Sequence, residues 1–563
     1  MSMNERIEQW KKPPFDATTI SAVKSLEKHP KNLEDAFYTE IAFGTGGMRG
    51  VMGPGTNRIN QYTLGKASQG VANYLNKTKT NSTAKIVIAY DCRNNSKAFA
   101  QAVANVFTAN EIDAYLFSSL RPTPVLSFAV RFLNADAGIV LTASHNPPEY
   151  NGYKVYNQHG GQIVPPEDEA IMQHINALTY EDIRWETNEK HLFSIDKKID
   201  EAYTKTIVEE SFLTAQERKN TKVLFTSLHG TAIMNLPAVL KEAGYEQTFL
   251  VEEQSLPDGN FPTVKSPNPE EREAFTLALK QAKAINADIV LGTDPDADRI
   301  GIGVKDVNGN WKLLNGNELM VVLTRFVLEQ EKNHANGFIA STVVSTPLMS
   351  ILAEAFKVEC KLGLTGFKWI GKMIHDFPEK KFLCGGEESY GFLYGNNVRD
   401  KDAISAALLA CDLQSSLKNS GSSIYEYLID TYEQHGCYFE ELISITKKGK
   451  EGAQEIASLL LSLRNNPPKS LGGIEVASLD DFDQKITIHA DGSKTQLDFP
   501  KANVLRFNLI DGSKIAVRPS GTEPKIKYYF SVNQSLSKGN DYIKCKQELS
   551  KKCEQLKKTV AEL

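Results

Sequence analysis

Asp294, Asp296 and Asp298 alternate in the segment GTDPDADR, residues 292–299, directly after an apolar run. Carboxylates this close repel one another unless something positive lies among them. Oxygen ligands at such spacing suit a hard divalent cation of the Mg²⁺ type. An EF-hand loop fails a simple count. With Asp294 as position one, the glycine position holds Arg299 and the bidentate glutamate position holds Lys305. A solvated acidic turn is the plain alternative.

A second segment, TASHNPPEYNGYK from Thr142 to Lys154, places Ser144 after another apolar run and before the turn-forming Asn146-Pro147. A serine there can act as a nucleophile or carry a phosphoryl group. A hydrolase elbow is excluded, because the G-x-S-x-G frame is absent. Adjacent side chains on extended backbone point to opposite sides, so a direct Ser144–His145 pair is not expected. The alternative is a turn whose Ser and Asn cap the next helix.

A third segment, VRPSGTEPK from Val517 to Lys525, sets a glycine between hydroxyl side chains with Arg518 close by. Such a loop grips phosphate through N–H groups, hydroxyls and a guanidinium, although it equally suits a hairpin turn. It lacks the G-x-x-x-x-G-K spacing of a Walker loop. Two weaker segments are GGEESYG, 385–391, whose carboxylates and hydroxyl suit sugar hydroxyls, and FGTGGMRG, 43–50. The latter has no convincing strand–helix context for a dinucleotide loop, but Arg49 could reach a phosphate.

The elements that must position these residues read as α/β. Apolar runs such as IVIAY (within 85–91), AGIVLTAS (within 136–145), VLFTSLH (within 222–230), IVLGT (within 288–294), FIASTVV (within 337–345) and FLCGGEE (within 381–389) alternate with helical patterns, among them 268–286. Continuous apolar runs suit strands buried on both faces of a parallel sheet. Ligands gather at the carboxyl ends of such strands, so Ser144, His229, Asp294 and Glu387 are expected to be four loops facing one cleft. No close internal repeat is visible, although the strand–loop–helix unit recurs. Beyond about residue 435, strands cluster between two helices, which suggests a small α+β unit.

The chain has 563 residues and a net charge of −5, with 41% hydrophobic and 24% charged residues. That length predicts several domains. The acidic balance argues against non-specific nucleic-acid binding. Seven dispersed cysteines without a CxxC pair fit a reducing compartment. The polar opening MSMNERIEQWKKPPF and the lack of a long apolar stretch lead to the expectation of a cytoplasmic protein with no membrane partner.

Taken in order, GTGGMRG (44–50), TASHNP (142–147), DPDADR (294–299), TGFKW (365–369), GEESYG (386–391), RDKDAISAA (399–407) and RPSGTEP (518–524) resemble the α-D-phosphohexomutase superfamily. The resemblance is strongest to its phosphoglucomutase and phosphopentomutase-like branch. It implies three related α/β mixed-sheet domains and a smaller C-terminal α+β domain around a central cleft, with expected divisions 1–200, 201–310, 311–435 and 436–563. It implies a phosphosugar mutase that interconverts hexose 1-phosphate and hexose 6-phosphate through a phosphoserine and a bisphosphorylated sugar. Glucose is favoured, with mannose or pentose specificity and a sugar-phosphate phosphatase as alternatives.

By the same resemblance Ser144 is the phosphoserine and, with Asp294, Asp296 and Asp298, holds one Mg²⁺ per chain. Arg299 and Arg49 assist, and His145 and Lys368 are candidate proton-transfer groups. Thr365, Gly366, Glu387 and Ser389 meet the sugar, and Arg518, Ser520, Gly521 and Thr522 meet the non-reacting phosphate. Lys527 or Lys525 completes that contact. A sugar bisphosphate is the implied activator, sugar phosphates are the implied partners, and the expected state is a monomer or weak homodimer.

Overall fold

The structure is a computed structural model covering residues 1–563. It describes all of them except 45, 80–81, 448, 520–524, 540 and 562–563, and the side chains of 449, 450 and 453.

Three mixed sheets follow one another along the chain. In spatial order the first contains Gly47–Val51, Tyr150–Asn157, Ala137–Leu141, Lys85–Tyr90, Asp113–Phe117 and Leu192–Ile195. The second contains Trp311–Leu313, Ile300–Lys305, Ile289–Thr293, Lys222–Thr226 and Gln247–Leu250. The third contains Glu359–Gly363, Gly337–Thr342, Lys381–Glu387 and Gly391–Tyr394.

All three share a four-strand core, whose members in chain order lie side by side as 2-1-3-4. The first three core strands are parallel, and the fourth is antiparallel to the third. The turns from third to fourth strand are 142–149, 294–299 and 388–390, so three of the segments singled out above occupy one topological position. The repeat is therefore in topology, where the sequence shows none. Apolar runs explain the central strands: Ala137–Leu141, Ile289–Thr293 and Gly337–Thr342 are buried at every residue, as strands covered on both faces must be.

Two expectations need correction. The helix expected over 268–286 is shorter: a 3₁₀ turn at Arg272–Phe275 leads into an α-helix at Thr276–Ile285. Pro267 and Pro269 disfavour helix at the residues before them. The glycine-rich 43–50 segment does have a strand, Gly47–Val51, at the edge of the first sheet and antiparallel to Tyr150–Asn157. The last strand of the second sheet, Trp311–Leu313, pairs with Ile300–Lys305.

The C-terminal unit is an antiparallel sheet in the order Cys437–Thr446, Lys525–Gln534, Lys514–Pro519, Leu505–Leu509, Ile474–Asp481, Ile486–His489 and Lys494–Gln496, with helices at Gly449–Asn465 and Tyr542–Ala561. One contiguous apolar cluster includes Val87, Val223, Phe338 and Leu505, so all four units share a core. Among the described residues no helix is long and apolar enough to cross a membrane.

Candidate active site

The turns of the first two sheets meet. Ser144 Oγ donates to Asp294 Oδ2 at 2.7 Å, and both residues are buried. Asp294, Asp296 and Asp298 offer carboxylate oxygens that all lie within 4.8 Å of one another. The N–H groups of Asp298 and Arg299 donate to Asp294 Oδ1 at 3.1 and 3.0 Å, which folds the turn around that carboxylate. Asp296 Oδ1 and Asp298 Oδ1 are buried with no hydrogen-bond partner among the described residues. Orphaned acceptors in a buried cluster fit a bound hard cation, since acceptors without partners are costly to bury. The residues present therefore fit the Mg²⁺ expected from the sequence.

The counter-charge that the triad requires comes from two lysines that sequence reasoning did not assign. Lys154 Nζ lies 2.7 Å from Asp296 Oδ2 and 3.0 Å from Asp298 Oδ2. Lys401 Nζ lies 3.2 Å from Asp298 Oδ2. Burial disfavours ionisation of all three carboxyls, but the Lys154 ammonium outweighs it at Asp296 and holds that group well below the usual range. At Asp298, burial and the Asp296 charge are likewise overcome by Lys154 and Lys401. Asp294, beside Ser144, is pushed upward by burial and by its two neighbours. The three aspartates are thus not equivalent.

Ser144 has φ +51°, a left-handed conformation unusual for a residue with a Cβ. That corrects one expectation. The backbone is not extended at Ser144, so its side chain and that of His145 turn to the same side, and Oγ lies 3.1 Å from His145 Nδ1. Burial, with Arg299 and Arg49 adding repulsion, holds the His145 imidazole well below its ordinary pKa, so it is neutral. Left-handed residues also occur in the other two turns, at Ala297 and Tyr390. Strain of this kind persists only where the surroundings over-determine it.

A cavity of about 500 Å³ opens beside this cluster. From the first two units it is lined by Arg49, His145, Glu270 and Arg299. Arg49 Nη1 donates to Asn146 Oδ1 at 2.8 Å, and Arg299 Nη1 to Glu270 Oε1 at 2.5 Å. The third unit contributes Thr365, Gly366, Glu387 and Ser389, and the fourth contributes Arg518 and Lys527. Arg518 and Lys527 are cross-strand partners in adjacent antiparallel strands. Neither forms an ion pair with a described carboxylate, and like charges so placed destabilise a sheet. Burial and Arg518 lower the Lys527 pKa.

Lys368 lies at the start of the helix Lys368–Asp376, outside the cavity lining. Burial, opposed by Asp168 and reinforced by Arg518, lowers its pKa to about 8. Ser520, Gly521 and Thr522 lie outside the described residues. His229 does not face the cavity. It is buried behind the aspartate turn, with Nδ1 3.1 Å from Leu256 O and Nε2 2.9 Å from Thr263 Oγ1. Of the four loops expected at one cleft, this one is a support.

The sequence matches the family pattern described as Phosphoglucomutase/phosphomannomutase, alpha/beta/alpha domain I, over residues 40–182. Domains II and III of the same family match over 201–309 and 315–432. A phosphoglucomutase of Staphylococcus haemolyticus is 39% identical over 507 residues, which cover 89% of this chain and 92% of the relative. A phosphoglucomutase of Staphylococcus aureus is 38% identical over 520 residues, covering 91% and 93%. The fold is similar to that of a phosphoglucomutase/phosphomannomutase family protein from Burkholderia thailandensis (TM-score 0.66, 19% identity, 91% and 96% covered). It is equally similar to the open form of a Paramecium phosphoglucomutase (TM-score 0.66, 19% identity, 92% and 97% covered). The chain belongs to the phosphoglucomutase/phosphomannomutase family, within the α-D-phosphohexomutase superfamily.

Proposed function

We propose that this phosphohexose mutase interconverts glucose 1-phosphate and glucose 6-phosphate, with Ser144 carrying the phosphoryl group between turnovers. The observation that carries the reading is Ser144 Oγ, 2.7 Å from the aspartate cluster and beside the cavity that collects Arg518 and Lys527. The preference for glucose is supported by relatives at 38–39% identity that are phosphoglucomutases.

In the forward half-reaction the P–Oγ bond of phosphorylated Ser144 breaks as a P–O bond forms to the free hydroxyl of the bound sugar phosphate. The acceptor hydroxyl loses its proton to neutral His145, whose Nδ1 lies 3.1 Å from Ser144 Oγ. The bisphosphorylated sugar turns within the cavity. In the second half-reaction its other phosphoryl group returns to Oγ, and His145 gives the proton back to the product hydroxyl. Phosphoryl transfer asks mainly for positioning and charge stabilisation. Asp294, Asp296, Asp298 and Ser144 would hold Mg²⁺, which supplies positive charge at the transferring oxygens. Arg299, held by Glu270, adds a second positive group at the same end.

Arg518 and Lys527 grip the phosphate that is not reacting, and Thr365, Glu387 and Ser389 meet sugar hydroxyls. Because the sugar binds in two orientations, the recognising groups must be few and open. A sugar bisphosphate recharges Ser144 when the phosphoryl group is lost to water.

A panel of hexose and pentose 1-phosphates, with Mg²⁺ and trace glucose 1,6-bisphosphate, tests the reading. Conversion of glucose 1-phosphate to its 6-phosphate at the highest kcat/KM is the expected result. Release of orthophosphate without an isomer would replace the mutase by a phosphatase, and a higher kcat/KM for a mannose or pentose phosphate would move the specificity.

A further inference from the structure

In each α/β unit, the loop after the first core strand braces the turn after the third. In the second unit the brace is Thr231, whose N–H and hydroxyl donate to Pro295 O at 2.8 and 2.9 Å. A Cβ on Gly230 would stand 2.5 Å from Pro295 Cα, so only glycine permits this approach. In the third unit Ser345 Oγ donates to Glu388 Oε2 at 2.9 Å and Thr342 Oγ1 to the same oxygen at 3.3 Å. The corresponding loop of the first unit is Asp91-Cys92-Arg93, a segment assigned no role from sequence.

Arg93 is 3% exposed, yet its side chain forms one long contact with a carboxylate, Nε to Asp91 Oδ2 at 3.4 Å. Its remaining donors go to backbone carbonyls of the Ser144 turn. Nη2 donates to Ser144 O at 2.6 Å and to Asn146 O. Nη1 donates to Pro147 O at 2.8 Å and Tyr150 O at 3.0 Å. Asp91 fixes the base of this fork, since its Oδ1 accepts from Arg93 N at 2.9 Å and Ser96 Oγ at 2.8 Å. On the other side the guanidinium lies 5.2 Å from the centre of the Phe261 ring, which belongs to the second unit. Gly259 brings that loop close, as a Cβ there would meet Asn94 N at 2.5 Å. Arg93 therefore touches both the turn that presents Ser144 and the unit that presents Asp294.

We propose that Arg93 is a positioning residue: by binding four carbonyls of the 144–150 turn it holds Ser144 in its left-handed conformation, with Oγ aimed at the aspartate cluster. The inference rests on the phosphoserine reading of Ser144. A planar fork of donors suits this task. A lysine, with one rotatable ammonium, can reach some of these carbonyls but cannot span them all. Among the described residues none of the recognising groups of the third and fourth units touches Arg93, so its loss should act on transfer and leave substrate binding alone.

The test uses the full chain with Mg²⁺ and glucose 1-phosphate. Arg93→Ala should lower kcat by about 100-fold, the cost of misplacing a reacting group by about 1 Å. KM should change by less than about twofold, because ground-state binding is untouched. A groove of about 780 Å³, lined also by Tyr90, Asn94, Leu116 and Phe193, reaches Arg93. Millimolar guanidinium should therefore enter the vacated space and restore part of the lost kcat in Arg93→Ala, without raising that of Ser144→Ala. If Arg93→Ala fails to fold, Arg93→Lys carries the test, with a loss confined to kcat expected. Wild-type kcat in either folded variant overturns the proposal, as does a folded Arg93→Ala whose kcat guanidinium does not raise. Phosphate incorporation from glucose 1,6-bisphosphate, measured on Ser144→Ala in parallel, keeps the two readings apart. Full incorporation there removes the phosphoserine role itself, whereas its loss there beside wild-type kcat in Arg93→Ala removes only the role of Arg93.

Discussion

At one end of the cleft Ser144, the three aspartates and Lys401 are buried, and with the half-buried Lys154 they are bonded to one another. At the other end Arg518 and Lys527 are partly exposed, and neither forms an ion pair with a described carboxylate. The first arrangement suits chemistry that needs charge and geometry fixed in advance. The second sets two cations side by side, and the repulsion between them favours an arriving anion. A mutase needs both. The transfer end sees the same reacting group each time, while the recognition end receives a sugar in two orientations.

Substitutions at the two ends should therefore fail differently. The largest effect is expected for Ser144→Ala, which should keep its fold and lose at least about 10³-fold in kcat, as nucleophile removal does elsewhere. Activity above a tenth of wild type would break the comparison at its root. Asp298→Asn removes a ligand and also leaves Lys154 and Lys401 underpaired, so kcat should fall by about 10²–10³-fold. A titration with Mg²⁺ should show a weaker midpoint, and an unchanged one would remove the triad from metal binding.

At the recognition end, Lys527→Ala should raise KM by about 10–100-fold with little change in kcat, the cost of one charge-assisted hydrogen bond to phosphate. Inorganic phosphate should raise Tm of the wild type more than that of this variant. The smallest effect concerns pH. The Lys368 pKa, lowered to about 8 by burial, means that its charge is lost as pH rises through that value. Lys368 does not line the cavity, but it lies close enough to Arg518 for their charges to interact, so with its charge lost the positive field at that end falls and kcat/KM should fall on the alkaline side of about pH 8. Lys368→Arg keeps the charge and should move that limb upward. An unmoved limb would assign it to another group.

Much of this arrangement was legible in the sequence. The alternation of Asp294, Asp296 and Asp298 points to a cation site, with a solvated acidic turn as the alternative, because carboxylates so close repel unless something positive lies among them. The strands that carry the turns are readable because burial on both faces demands unbroken apolar runs. Lys154 and Lys401 were harder. The need for positive charge among the aspartates was evident, but its source lies 142 and 103 residues from Asp296 and Asp298, and no local pattern marks which lysine folds back. The Ser144–His145 contact was misjudged for a local reason, since the left-handed φ of Ser144 depends on carbonyls gripped from outside the turn. Arg93 was invisible for the same reason, as its partners are backbone oxygens, which carry no sequence signature. The repeated 2-1-3-4 strand order was equally hidden, because packing preserves it with different residues in each unit.

The central claim, that one hydroxyl stores the phosphoryl group between two ends of a sugar, is tested most directly on the protein itself. The enzyme is charged with glucose 1,6-bisphosphate and Mg²⁺, and the phosphate is located by peptide mapping before and after glucose 6-phosphate is added. The account predicts one phosphoryl group per chain on Ser144, discharged into sugar bisphosphate within a turnover. A phosphoryl group on another residue, or one on Ser144 that persists when sugar monophosphate is added, would contradict it.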